Sequence, residues 1–320
     1  MSAETTASRT AAPVGTTAHI VVGVEDTLNG SGPLLWACQE AGRRHAALQV
    51  VSACPVEVGP QPTRPATYLG TDPTEAVHRS LEALTRKVCT DVDVLPSRVE
   101  DGAPPRVLVD ALDEHSLMLV VGRRTRAGLA HLLLGSTSVA VAGRASVPVV
   151  VVPDKWLPEE TASSPVVVGL SGEDDEPLLR FGFERAAALH VPLVAVHAWE
   201  IPALLSWSPG EIAEARGDVS AALDQRLERW CAEFPDVEVV TAAPAERPVD
   251  AVLEASRVGQ LVVVGRHTRD ARHVGPRVGS TARGVLHHAT VPVAVVPLQR
   301  SEAEAEPHEQ ITSDVWAPTF

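Results

Sequence analysis

The sequence predicts an α/β protein: two tandem Rossmann-like domains, each built on a five-stranded parallel sheet. Three observations carry this expectation. A set of motifs recurs once, in the same order, roughly halfway along the 320-residue chain. Short valine-rich runs, apolar at successive positions, read as strands buried on both faces, as parallel strands are. Between those runs lie amphipathic stretches of helical length.

The repeat comes first because it sets the boundaries. Ile20-Val-Val-Gly23-Val returns as Val166-Val-Val-Gly169-Leu, and Leu119-Val-Val-Gly122 returns as Val262-Val-Val-Gly265. Gly135-Ser-Thr returns as Gly279-Ser-Thr, and Ser146-Val-Pro-Val-Val-Val-Val-Pro153 returns as Thr290-Val-Pro-Val-Ala-Val-Val-Pro297. The displacement stays between 143 and 146 residues across all four blocks. That period is too long for a solenoid and marks a duplicated domain.

In the first copy the strands fall at about 18–24, 47–53, 92–99, 117–122 and 147–152. Helices are expected at 31–45, 72–90, 104–115 and 135–145, with Asp72-Pro73 and Pro104-Pro105 as starts. In the second copy the strands are 165–170, 192–198, 236–241, 260–265 and 291–296. Its helices are 176–190, 217–234, 249–257 and 279–288. Strict alternation of strand and helix implies right-handed crossovers and a parallel sheet in each copy. The resulting division is a disordered N-terminus at 1–16, domains at 17–153 and 163–297, a polar linker at 154–162 and an acidic, disordered tail at 298–320.

Composition narrows the function. Hydrophobic residues make up 45% of the chain and charged residues 21%, enough for two ordinary cores. A net charge of -14 argues against nucleic acid or an anionic membrane surface as partner. No apolar run approaches the ~20 residues of a membrane helix, and the polar N-terminus has no secretory signature. The four cysteines, Cys38, Cys54, Cys89 and Cys231, are scattered without CxxC spacing. Their spacing leads us to expect neither a disulfide framework nor a zinc site, and a reducing, cytoplasmic location.

In an open α/β sheet, ligands sit at the carboxyl ends of the strands where strand order reverses. Two loops of each copy reach that rim. The first-strand turn carries Glu25. The fourth-strand loop runs Gly122-Arg-Arg-Thr125, then nine residues, then Gly135-Ser136-Thr137-Ser138. Glycine allows close backbone approach, and a helix start offers free N–H groups to phosphate. Serine at such a position also simply caps a helix. Arg123, Arg124 and Arg126, with Arg266 and Arg269 in the second copy, stand ready to neutralise phosphate or to form a solvated basic loop.

These residues resemble the universal stress protein family, whose nucleotide-binding members carry G-x2-G-x9-G-S/T after the fourth strand. The resemblance spans 17–153 and 163–297. It implies the adenine nucleotide alpha hydrolase-like form of the fold, a stress-response role and a site for ATP or a related nucleotide. The implied site in copy one is Glu25, Val51 (lining the adenine pocket), Gly122, Thr125, Gly135, Ser136, Thr137 and Ser138. Copy two offers only Gly265, Gly279 and Ser280.

The departures matter. Thr125 replaces the family's second loop glycine, and Glu25 replaces its aspartate. Copy two has Ser171 at the acidic position, Ala282 in place of Ser138, Pro276 in its loop and one extra residue before Gly279. ATP is therefore expected in domain 1 and is doubtful in domain 2. The alternative is a protein-interaction scaffold with degenerate sites. A slow ATPase ranks last, since nothing in the sequence supplies an activated water or nucleophile; no P-loop, G-x-S-x-G elbow or HExxH motif is present, and we expect no enzyme. The family commonly pairs through last strands, so 147–152 and 291–296 are expected to pair within the chain as a pseudo-dimer, with homodimerisation and an unidentified protein partner left open.

Overall fold

The computed structural model describes residues 17–25, 31–54, 73–123, 135–153, 156–158, 161–171, 175–201, 208–267 and 278–298. Thr125, Pro276, the first sixteen residues and nearly all of the acidic tail lie outside the described residues.

The first copy runs β1 (His19–Gly23), α1 (Ser31–Arg44), β2 (Ala47–Cys54), α2 (Pro73–Val88), β3 (Arg98–Asp101), α3 (Pro104–Asp110), β4 (Ser116–Arg123), α4 (Ser136–Ala142) and β5 (Val149–Pro153). The second runs β6 (Val166–Gly169), α5 (Glu176–Leu189), β7 (Leu193–Val196), α6 (Pro209–Glu233), β8 (Val239–Ala242), α7 (Pro248–Ser256), β9 (Leu261–His267), α8 (Ser280–His288) and β10 (Val293–Leu298). Within each copy every strand pair is parallel, and the order is β3-β2-β1-β4-β5, mirrored as β10-β9-β6-β7-β8.

The two sheets are one. β5 and β10 pair antiparallel, with Val151 opposite Val293, Val150 opposite Ala294 and Val149 opposite Val295. These strands end each copy's sheet, so pairing them satisfies two rows of backbone groups and covers two apolar edges. A ten-stranded mixed sheet results.

Period-2 alternation splits the core between two faces. Ile20 and Val22 point to one face with Leu34, Leu81, Phe183, Leu223 and Trp230, beneath α1, α2, α5 and α6. Val21 points to the other with Leu108, Val141, Val252 and Leu286, beneath α3, α4, α7 and α8. Each cluster draws residues from both copies, so the core runs through the joint.

Three elements differ most from expectation, two of them for identifiable reasons. The expected strand 92–99 makes a single bridge, Val94 to Leu48, and resumes only at Arg98. Pro96 lies in the gap and has no N–H to donate. Helix α6 starts eight residues earlier than expected, because Ser208 and Glu211 close a reciprocal capping box. Helix α3 stops at Asp110 rather than 115.

The cysteines require a correction. Cys38 of α1 and Cys89, which follows α2, form a disulfide with a Cα–Cα distance of 5.7 Å, leaving Cys54 and Cys231 free. Spacing along the chain carried no trace of this, because the two residues are 51 apart and meet only when α1 packs on α2. Among the described residues no helix is long and apolar enough to cross a membrane.

Candidate functional site

β1 lies between β2 and β4, so the chain leaves β1 in one direction and returns on its other side. In open α/β sheets such a reversal is the place where ligands bind, at the strand ends. Gly23 is in register with Val121 and with Val51, so the residues that follow β1 and β4 leave the sheet side by side. The Val24 N–H donates to the Val51 carbonyl at 2.9 Å, which fixes the start of the turn. Glu25 follows and is exposed. Val51 itself is fully buried, in the apolar core with Val107 and Leu108.

The glycines divide into two kinds. A Cβ on Gly23 would meet Leu108 at 2.8 Å, one on Gly169 would meet Val252 at 2.8 Å, and one on Gly265 would meet Leu298 at 2.5 Å. Packing alone explains these three. Gly135 and Gly279 are different. Their φ angles of -57° and -59° are open to any residue. Among the described residues, a Cβ on Gly279 would meet nothing within 4 Å, and one on Gly135 would meet only the Ser138 hydroxyl at 3.2 Å.

Ser136 is exposed and Thr137 half-buried, while Ser138 is turned inward at 2% exposure. The Ser138 hydroxyl reaches the Gly122 carbonyl at 3.5 Å and the Gly135 carbonyl at 3.4 Å. It therefore spans the end of β4 and the start of α4. Gly122 is half-buried at the end of its strand. Ser280 is exposed at the start of α8.

The copy-two turn is closed by the chain's own groups. Both the N–H and the hydroxyl of Ser171 donate to the Asp175 carboxylate at 2.9 Å. Arg226 of α6 pairs with the same carboxylate at 2.9 Å. Asp175 is only 2% exposed, and sequence reasoning did not single it out. Its signal was present: an aspartate just before a helix whose first turn carries proline.

The arginines next to the strand-end glycines have another role. Arg123, from copy one, donates to the carbonyls of Leu286 at 3.1 Å and Ala289 at 2.5 Å, at the end of α8. Arg266, from copy two, donates to Gly143 at 3.1 Å and Ala145 at 2.6 Å, at the end of α4. Each copy thus caps the other copy's last helix, satisfying carbonyls that lack intrahelical partners. The expectation that Arg123 and Arg266 face phosphate is corrected. Arg266 is 4% exposed, and burial lowers its pKa from the usual arginine value. His287 stands at the same seam. Burial first, then the charges of His288, Arg283 and Arg123, hold its pKa below the ordinary imidazole value.

A third cluster was not foreseen. At the opposite, N-terminal edge of the sheet, His19 Nε2 lies 3.1 Å from the Ser116 hydroxyl, which donates to Asp113 at 3.0 Å. Ser116 also accepts the Asp113 N–H at 3.0 Å, and His19 Nδ1 lies 3.0 Å from the Thr17 carbonyl. With His19 at 3% and Ser116 at 7% exposure, these bonds fasten the starts of β1 and β4.

The fold defines a duplicated Rossmann-like protein whose strand order reverses at β1 in one half and at β6 in the other. The model of the universal stress protein family matches residues 16–153 and again 163–297. The chain belongs to the universal stress protein family. A universal stress protein of Mycolicibacterium smegmatis is 32% identical over 291 residues, covering 87% of this chain and 96% of the relative. One from Mycobacterium tuberculosis is 29% identical over 284 residues, covering 86% and 96%. Among solved structures, a universal stress protein from Archaeoglobus fulgidus superposes with a TM-score of 0.57 at 15% identity, covering 87% of this chain and 98% of that one.

Proposed function

We propose that this protein is a nucleotide-binding regulatory module, taking ATP or a related adenine nucleotide in the crevice of copy one. The carrying observation is Gly135: its backbone angles are open to any residue and, among the described residues, a side chain there would meet only the Ser138 hydroxyl, so packing does not account for a glycine at the start of α4. Glu25, exposed at the rim, is suited to the ribose hydroxyls, and Ser136 adds a donor. Copy two lacks the carboxylate at Ser171 and fills that turn with Asp175 and Arg226, so it is the weaker site. The role is binding without turnover.

Titration with ATP tests this. One nucleotide per chain is expected. Gly135→Asp brings a carboxylate onto the phosphate position and should weaken binding at least tenfold, about 1.4 kcal/mol or more. Gly279→Asp, in the weaker copy, meets none of the described residues and should leave affinity unchanged. No binding at millimolar ATP would favour a second reading, a nucleotide-independent scaffold. That reading is supported by Arg123 and Arg266, which are committed to the joint between copies. ATP hydrolysis abolished by Gly135→Asp would overturn the non-enzymatic role.

A further inference from the structure

The two copies hold corresponding helices together by different chemistry. In copy one α2 meets α1, and in copy two α6 meets α5. The backbone fixes which residues correspond. Both α1 and α5 run into a left-handed histidine, His45 and His190. The Cys89 N–H donates to the Thr85 carbonyl as the Phe234 N–H does to Trp230, and the Leu48 N–H donates to Asp93 as Leu193 does to Glu238. One displacement relates all these pairs. By it, Cys38, Thr85 and Cys89 stand where copy two has Phe183, Trp230 and Phe234.

In copy two the three rings form one cluster. Phe183 lies 5.7 Å from Trp230 and 5.4 Å from Phe234, centroid to centroid. Ion pairs from α5 to α6 add to it, Arg180 with Glu233 at 3.1 Å and Arg229 with Glu176 at 3.3 Å. Aromatic packing of this kind is indifferent to the redox state of the solvent. In copy one the corresponding residues are small. Cys38 and Cys89 are joined by their disulfide, and the Thr85 hydroxyl donates to the Leu81 carbonyl of its own helix at 2.8 Å. Arg43 and Arg44 pair with Glu40 inside α1, and Arg86 pairs with Glu82 inside α2. Leu81 of α2 is buried, but Val77, Leu84 and Val88 are only partly so. The bridge spans 51 residues, so it restricts α2 strongly in any undocked state.

We propose that Cys38 and Cys89 are a thiol–disulfide switch, by which a low-molecular-weight thiol and its disulfide set how firmly α2 is held on α1. Cys38 is 5% and Cys89 8% exposed, so a slight parting of the helices admits a small thiolate. That thiolate attacks one sulfur and expels the other, giving a mixed disulfide. A second small thiolate attacks the mixed disulfide and leaves as the small disulfide. The protein gains two electrons and two protons and ends with two thiols; the reverse exchange restores the bridge. The switch belongs to copy one alone, because copy two has phenylalanine at both positions. Reduction loosens α2 and the edge strand β3 beside it, and leaves α6 in place.

Hydrogen–deuterium exchange and peptide mass mapping of the full chain test this, with reduced and oxidised glutathione as the probes. In oxidised glutathione the Cys38–Cys89 peptide pair should be recovered and α2 protected. Millimolar reduced glutathione should open the bond without denaturant. Amides of α2 and of Arg98–Asp101 should then exchange about tenfold faster or more, while those of α6 do not change. Cys38→Ala with Cys89→Ala should exchange like the reduced protein in both buffers. A bond that resists reduced glutathione in the folded chain would overturn the switch and leave a permanent staple. Equal α2 exchange in the two states would overturn it as well, as would pairing of Cys38 or Cys89 with Cys54 or Cys231. No nucleotide is added, so the outcome is independent of the nucleotide reading.

Discussion

The arginine that follows each strand-end glycine shows how one residue can be read two ways. In sequence, Gly122-Arg123 and Gly265-Arg266 belong to a loop that resembles a phosphate site. In space the guanidiniums reach across to carbonyls 121 to 166 residues away. Nothing local could reveal this, because the acceptors are backbone groups of another domain. Replacing Arg266 with methionine leaves two buried carbonyls without donors and should cost about 2–4 kcal/mol in urea unfolding. Arg123→Met should cost less, since Arg123 is half-exposed and water can take its place. Equal and negligible effects would show that the exchange contributes nothing to holding the copies together. The glycines teach a related lesson. Gly23, Gly169 and Gly265 were legible as special positions, but only the neighbouring side chains separate packing from ligand access.

At the level of elements, strands and helices were largely legible from valine runs and from helical periodicity. Misplaced boundaries trace to local chemistry: Pro96 standing between the Val94 bridge and the start of β3, and the Ser208–Glu211 box extending α6 past Gly210 and Gly217. What was not legible is how α1 meets α5. Both helices end in a left-handed histidine, His45 at φ 51° and His190 at φ 53°. Five residues before each stand Glu40 and Arg185, so corresponding positions of the two copies meet as an ion pair. Glu40 is 1% exposed and Arg185 4%, so removing one partner strands a buried charge. Arg185→Leu alone is expected to cost about 3–5 kcal/mol. Glu40→Leu with Arg185→Leu should recover much of that loss, because neither charge remains to be solvated. The charge-swapped pair, Glu40→Arg with Arg185→Glu, should fare worst of the double variants. Its new arginine would face Arg43 and Arg44, which now attend Glu40. Denaturation midpoints of the four proteins decide the matter; a swap as stable as the original chain would contradict it.

For the whole molecule, the β5–β10 ladder turns two domains into one continuous sheet. Cα atoms opposite one another in an antiparallel pair lie about 4.5–5.5 Å apart, within disulfide reach. Val150→Cys with Ala294→Cys, placed in a Cys231→Ala background, should therefore oxidise to a crosslink within one chain, seen as a faster band on a non-reducing gel. A covalent dimer instead would mean that the strands pair between chains. The sequence made this joint foreseeable, since two valine strands with one free edge each need a partner. The Cys38–Cys89 bridge was not, because it depends on how α1 packs against the end of α2. Covalent fusion also changes what the seam is free to become. In a dimer of identical subunits, a residue near the two-fold axis faces its own copy, so an acid must face an acid. Joining the copies end to end lifted that restriction at positions 40 and 185, where opposite charges now meet. Each half has thereby become specific to the other, and drift at either position is expected to survive only when matched by its counterpart.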